Sequence, residues 1–391
     1  MTGRDHFLFW RLTYFFMDEC NYRLLRINKN HTEIWLENRQ NHSARIIRLV
    51  LSNIAWSNRF NRDQQQTAEQ GERLRRHLFT RNLNILNLYI TEFLPVGEPL
   101  PDQVIKGKTK ILSLFITLSL FITKEDPTST SKLADFFGKK PDLWLKNEYQ
   151  QADVLLLAQA VLNKAAQQEK ADQKFFSVAR PLFTYILILI QVIMFILLEH
   201  YGGSTNPETL IDFGAKYSPL IIQGEWWRLI TPIFLHIGIL HLFMNTLALY
   251  YLGTAVERIF GRIRFIGIYL ISGFMGTLFS FVFNQNIAAG ASGAIFGCFG
   301  ALLYVGFAFP QIFFRTIGKN VLFLIALNLI IGFIVPGIDY HGHIGGLIGG
   351  FLTSGLVHLP NNKKVKNQIT FMIILGVLTT FMLYYGYHVI F

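Results

Sequence analysis

Seven apolar stretches of membrane length follow one another in the second half of this 391-residue chain, at about residues 182–200, 230–252, 264–284, 292–310, 319–336, 343–359 and 368–389. A helix needs roughly 17–25 such residues to cross a bilayer. Some of the stretches contain Gly or Ser, but none carries a central Lys or Arg. Lipid offers backbone groups no partners, so each stretch is expected to be a helix that pairs its own N–H and C=O groups.

The charge lies elsewhere. Residues up to Arg180 hold 26 of the 36 Lys and Arg and 19 of the 25 Asp and Glu. Within them, Thr32–Glu37, Ala44–Leu51, Leu83–Thr91 and Ile111–Ile122 are short, apolar and β-branched or aromatic, as strands tend to be. Asn58–Arg81 is polar and helical in pattern, with Glu72 and Arg76 spaced to pair on one face. A second helix over Leu143–Lys174 carries an apolar stripe through Val154, Leu157, Ala158 and Val161. The first half therefore reads as a soluble α/β domain. Its histidines, His6, His31, His42 and His77, are scattered and suggest no site.

The net charge of +11 invites a nucleic-acid partner. No basic and aromatic strip is present, and none is expected to bind. Cys20 and Cys298 fall in different halves without metal-ligand spacing, so neither a disulfide nor a metal is expected. The apolar stretch Phe7–Met17 is short, contains Arg11 and lacks a cleavage site, which leaves the amino terminus in the cytoplasm. Loop charge agrees. Lys170, Lys174 and Arg180, then Arg258, Arg262 and Arg264, then Arg315 and Lys319, then Lys363, Lys364 and Lys366 alternate with loops holding only Lys216 and Arg228. This pattern predicts an inside amino terminus and an outside carboxyl terminus.

Against that topology, two residues stand out. Ser292, in GASGAIFG, opens the fourth stretch, and His343, in HGHIGGLIGG, opens the sixth, both from the outer side. Ionisable and nucleophilic groups in a membrane segment are costly and point to function. Ser292 alone has a bland reading, a hydroxyl bonded to its own helix, and His343 alone can be a solvated boundary residue. As a pair they make a nucleophile and a general base. Gly293 with Gly297, and Gly346 with Gly350, have the small-xxx-small spacing that lets two helices approach. His241 and Asn245, four apart in the second stretch, share a helix face and can donate to an oxyanion, or can simply bond across helices. His236 suits a structural role in the first outer loop, through water or backbone carbonyls. Asp339 permits a Ser-His-Asp triad, but it falls in a short outer turn where solvation is expected, as is His341.

The runs EWWRLITPIFLHIGILHLFMN, GTAVERIFG, GASGAIFGCFGALL and HGHIGGLIGG, in that order over residues 180 to 360, resemble the rhomboid intramembrane serine proteases. The resemblance implies a membrane all-α fold. It comprises a six-helix core over 176–360 and a seventh C-terminal transmembrane helix over 361–391, preceded by a soluble α/β cytoplasmic domain over 1–175. It also implies a Ser292–His343 dyad without an aspartate, with His241, Asn245 and the Ser292 amide at the oxyanion. Supporting roles fall to His236, Arg228, Glu257, Gly290, Phe296 and Gly346. Trp226, Trp227 and Arg228 belong to a first outer loop partly sunk in the membrane, and Glu257 with Gly261 to a structural motif at the inner end of the second helix. Phe296 departs from the tyrosine frequent in bacterial members and keeps a face to stack on the histidine. The whole chain is similar to the large rhomboids of Bacillus-type Gram-positive bacteria. Some of those continue into tetratricopeptide repeats, a function not expected in a chain that stops at Phe391.

The expected activity is cleavage of transmembrane segments near the outer face of a bacterial cell membrane, without cofactor. Substrates whose helices unwind easily are implied, because a helical carbonyl is shielded by its hydrogen bond. The soluble domain leaves room for a cytoplasmic partner or ligand. Two competing readings are a non-catalytic protein that binds membrane clients and a small-molecule transporter. Client binders of that kind usually lack the Ser or the His. A transporter needs polar groups strung to mid-depth, whereas here they cluster on the outer side.

Overall fold

A computed structural model describes residues 3–53, 57–78, 80–91, 103–117, 137–138, 149–175, 177–360 and 365–390. The chain divides into two compact units, Met1–Ala171 and Asp172–Phe391.

The first unit is built on a six-stranded mixed sheet. Its elements are α1 (Gly3–Asp18), β1 (Arg23–Ile27), β2 (Glu33–Glu37), β3 (Ile46–Leu51), α2 (Ser57–His77), β4 (Leu83–Thr91), β5 (Gln103–Lys106), β6 (Thr109–Thr117) and the start of α3 (Gln151–Phe175). The spatial order is β1-β2-β3-β4-β6-β5. β3, β4 and β6 run parallel, while β1, β2 and β5 are antiparallel to their neighbours. Parallel neighbours need a long crossover, and α2 supplies the one between β3 and β4. Val161 is buried in the core, and Val154, Leu157 and Ala158 pack against it, as the helical stripe predicts.

Three elements depart from expectation. Phe7–Met17 lies within α1, whose Leu8, Phe9, Leu12 and Phe16 are fully buried, so this segment belongs to the core. β1 escapes a sequence reading because Arg23 and Arg26 break its apolar pattern on an edge strand. α3 begins at Gln151 and not at Leu143; residues 143–148, like the 118–122 end of the last expected strand, lie outside the described residues. Glu72 bonds Arg75 Nη2 at 2.7 Å and Arg76 only at 3.4 Å, so the nearer arginine is the tighter partner.

The second unit is helical: α4 (Phe183–His200), two short helices α5 (Pro207–Asp212) and α6 (Ser218–Ile222), α7 (Ile239–Phe260), α8 (Arg262–Phe283), α9 (Ser292–Ala308), α10 (Pro310–Thr316), α11 (Gly318–Ile334), α12 (Tyr340–Val357) and α13 (Val365–Tyr385). Among the described residues, four helices are long and apolar enough to cross a membrane, Phe183–His200, Ile239–Phe260, Arg262–Phe283 and Asn367–His388. α9 and α11 are shorter and apolar, and α12 holds six glycines. Of the four long helices, α8 is central, with 72% of its apolar window buried, against 28% for the first and 11% for the last. The outer helices turn large apolar side chains such as Leu189, Ile196, Phe333 and Val377 outward, a surface suited to lipid and not to water.

The second apolar stretch starts later than expected. Residues 226–234 form two 3-10 turns, and α7 begins only after Gly238, whose φ of +78° turns the chain. His236 consequently sits in the connection ahead of the helix.

At the far end of α7, Glu257 is fully buried and its carboxylate accepts from the amides of Leu182, Phe183 and Thr184 and from the Thr184 hydroxyl, at 2.7–2.9 Å. The first amides of a helix have no partner within it. Glu257 provides one for α4 from another helix, and the negative charge complements that helix's positive end.

Candidate active site

Ser292 is the first residue of α9, and His343 lies in the first turn of α12. Glycine brings the two helices into backbone contact. A Cβ placed on Gly346 would lie 1.9 Å from the Gly293 carbonyl oxygen, and one on Gly350 would lie 2.1 Å from that of Gly297. No side chain fits there. A Cβ on Gly293 would lie 3.4 Å from the Gly342 oxygen, so the residue after the serine adjoins the residue before the histidine.

One turn below Ser292, Phe296 stacks on the His343 ring at 4.2 Å between centroids and 11° between planes. His343 is buried, and among the described residues its Nδ1 has no hydrogen-bond partner. Asp339 is engaged elsewhere. Half-buried rather than solvated, it caps α12 by accepting from the Gly342 amide at 3.2 Å. His341 likewise belongs to the first turn of α12, stacked on Phe283.

α7 delivers its polar residues to the same end of the bundle. Gly290, with φ of +149°, passes so close to His241 that a Cβ there would lie 2.7 Å from Cε1 and 3.0 Å from Nε2. Any other residue would be both strained and in collision. His241 Nδ1 accepts from the Ile237 amide at a long 3.4 Å, which leaves the ring proton on Nε2, the side facing Gly290. Asn245 is buried and spends one Nδ2 proton on the His241 carbonyl, at 3.0 Å, keeping a second. His236, fully buried, bonds no carbonyl among the described residues, one of the two kinds of partner expected for it. Among the described residues neither of its ring nitrogens has a partner, and it meets His241 edge-on at 5.4 Å.

The loop ahead of α7 is held by Arg228, which bonds Glu225 at 2.6 Å and the carbonyls of Ile211 and Ala215 at 2.5 and 3.1 Å. Trp226 and Trp227 are exposed beside it. A cleft beside Ser292 is lined by Gly290, Thr277, Ser280, Asp339 and, unforeseen, Lys216. Fully buried, Lys216 donates to the carbonyls of Asn284 and of Asn286, the latter at 2.9 Å. Burial brings its ammonium down to about 8, against the opposing pull of Asp339. A lone loop lysine reads in sequence as a solvated charge, and nothing local marks it otherwise.

The arrangement thus combines a serine at a helix start, a buried imidazole and two side-chain donors. The Rhomboid domain model matches residues 223–360. The chain is 40% identical over 358 residues to Rhomboid protease GluP of Bacillus subtilis, covering 91% of this chain and 70% of that protein.

The chain belongs to the rhomboid family.

Putative rhomboid protease YdcA of the same bacterium is 35% identical over 179 residues, which are 45% of this chain and 88% of that protein. RHOMBOID-like protein 6, mitochondrial, of Arabidopsis thaliana is 44% identical over 150 residues, 37% of this chain and 48% of its own. This rhomboid is a serine protease and a multi-pass membrane protein. At 358 of 391 residues, the match to GluP takes in most of both units.

Proposed function

We propose that this rhomboid cleaves transmembrane segments of membrane proteins through a Ser292–His343 dyad, near the outer face of a bacterial cell membrane. One observation carries the reading: Ser292 and His343 open two helices whose backbones touch, with the imidazole seated on Phe296 one turn from the serine. His343 takes the Ser292 proton as Oγ attacks the scissile carbonyl carbon. The tetrahedral oxyanion is met by the Nε2–H of His241, the free Nδ2–H of Asn245 and the Ser292 amide. Its collapse breaks the C–N bond, and the His343 proton leaves with the amine. Water then attacks the acyl-serine, giving one proton to His343; collapse of this second tetrahedral species breaks the acyl C–Oγ bond, His343 returns the proton to Oγ, and the product leaves with a new carboxyl group.

Three helix starts, those of α7, α9 and α12, meet at this point, and their positive ends favour the oxyanion. His343 works without a carboxylate on Nδ1, since Asp339 is committed to its cap.

An outer location and an inside amino terminus rest on the loop charges. The two cations of the outer loops, Lys216 and Arg228, are both buried and bonded to carbonyls, so neither contributes a free surface charge. Arg262 and Arg264, at the other end, bond the carbonyls of Arg180, ahead of α4, and of Val357, the last residue of α12. Glu257, Gly261, Gly346 and Phe296 hold helices at the spacing the dyad needs.

The test is cleavage of a reporter transmembrane substrate by the purified protein in liposomes. Ser292→Ala and His343→Ala are each expected to abolish it while the protein stays folded. Wild-type cleavage by either variant would overturn the mechanism.

A further inference from the structure

Lys216 is expensive to keep. An ammonium with no exposed surface loses its hydration and must recover it from protein dipoles. Among the described residues its hydrogen bonds go to one segment, Asn284 to Ala291, the stretch that delivers Ser292 to the start of α9. Its Nζ donates to the Asn284 and Asn286 carbonyls, and its backbone pairs with Ala288 in both directions, amide to carbonyl at 2.9 and 3.1 Å. Gly290 is fixed next, its amide donating to the Pro232 carbonyl at 2.9 Å. The segment is therefore stitched to the first loop at four successive places before the serine is reached. Lys216 also lines the Ser292 cleft together with Asp339, the cap of the helix that carries His343.

We propose that Lys216 is a positioning residue: from the first loop it clamps the Asn284–Ala291 segment and so sets Ser292 and its amide against the His343 helix. Without the ammonium, the carbonyls of Asn284 and Asn286 lose their donor and the segment is free to shift. Catalytic geometry is steep in distance, and a misplacement of about 1 Å costs on the order of 100-fold in rate. The effect acts on the nucleophile and not on the surface where a transmembrane segment binds. It therefore falls on kcat and leaves KM in place.

The proposal rests on Ser292 being the nucleophile, and the experiment separates the two. Wild type, Lys216→Met, Lys216→Gln, Lys216→Arg and Ser292→Ala are compared in liposomes. Three quantities are read: kcat, KM, and the rate at which a small fluorophosphonate labels the protein. That probe needs no transmembrane docking. Lys216→Met is expected to lower kcat and the labelling rate in parallel, by about 10- to 100-fold, with KM close to wild type. Lys216→Arg, which restores a charged donor, is expected to recover most of both. Lys216→Gln, which keeps an uncharged donor, should fall between them and serves if the Met variant does not fold. Wild-type kcat and labelling in a folded Met or Gln variant would overturn the proposal, as would a change confined to KM. Label that persists in Ser292→Ala would instead overturn the assignment of the nucleophile.

Discussion

Asp339 sits where a third catalytic group would be sought, and its bond to the Gly342 amide gives it a different task. As an N-cap it is worth about 1 kcal/mol of stability, whereas the aspartate of a working triad is worth about 10⁴ in kcat. Asp339→Asn is therefore expected to keep kcat/KM within about threefold of wild type, a gap so far from the triad figure that steady-state kinetics decide it. Phe296 makes a subtler contribution. An aromatic stack is worth about 0.5–1.5 kcal/mol, so Phe296→Ala is expected to reduce kcat by about 2- to 10-fold, and Phe296→Tyr to retain it, both read in the same assay. Ser292, His343, His241 and Asn245 were conspicuous in the sequence because polar side chains are rare in apolar runs, and the last two share a helical spacing. Lys216 was not. A lysine in a loop is ordinary, and only the fold shows that its neighbours exclude water.

Among the elements, α9 and α12 meet backbone to backbone at glycines along one seam. Where a Cβ meets a backbone oxygen at about 2 Å, as at Gly346 and Gly350, no rotamer relieves the clash and the helices must separate. Gly350→Val lies one turn further from the site than Gly346. It is expected to lower the midpoint of thermal unfolding in detergent and to abolish cleavage along with it. Glu257 offers a second handle. Its removal in Glu257→Ala leaves buried amides at the start of α4 without acceptors, at an expected cost of at least about 3 kcal/mol, measured by the same thermal scan. The spacing of these glycines and the apolar periods showed which segments would be helices and which would touch. The start of α7 was not visible, because Thr231–Phe234 is as apolar as the helix that follows, and the break lies in backbone geometry at Gly238. In the sheet, β4 and β6 read clearly as strands. β1 did not, since its charges belong to an edge.

At the scale of the molecule, the two units are held together differently. The membrane unit is held by apolar burial and close helix contact. The first unit contains a charged cluster, in which Arg48 bonds Asp63 at 2.6 and 3.0 Å and Glu33 at 2.9 Å, while the Tyr89 hydroxyl also donates to Asp63. Burial alone would raise both carboxyls, but the bonds and charge of Arg48 outweigh it and hold Asp63 and Glu33 below their ordinary range. A carboxylate lowered on folding contributes stability in full above its unfolded value, about 4, and loses it as pH falls through the folded one. Hydrogen exchange in the full chain is accordingly expected to show β3 and α2 losing protection below about pH 4. Arg48→Met should weaken that acid limb. Charge in the sequence thins out after about position 180, near the division between the two units at Ala171 and Asp172.

The most direct measurement is the site of covalent modification. Wild-type protein in liposomes is treated with a fluorophosphonate, digested, and mapped by mass spectrometry alongside Ser292→Ala and His343→Ala. The expected result is a single adduct on Ser292, absent from Ser292→Ala and strongly reduced in His343→Ala, where the serine has lost its base. An adduct on another residue that tracks with loss of cleavage, or full labelling of Ser292 in His343→Ala, would contradict the dyad.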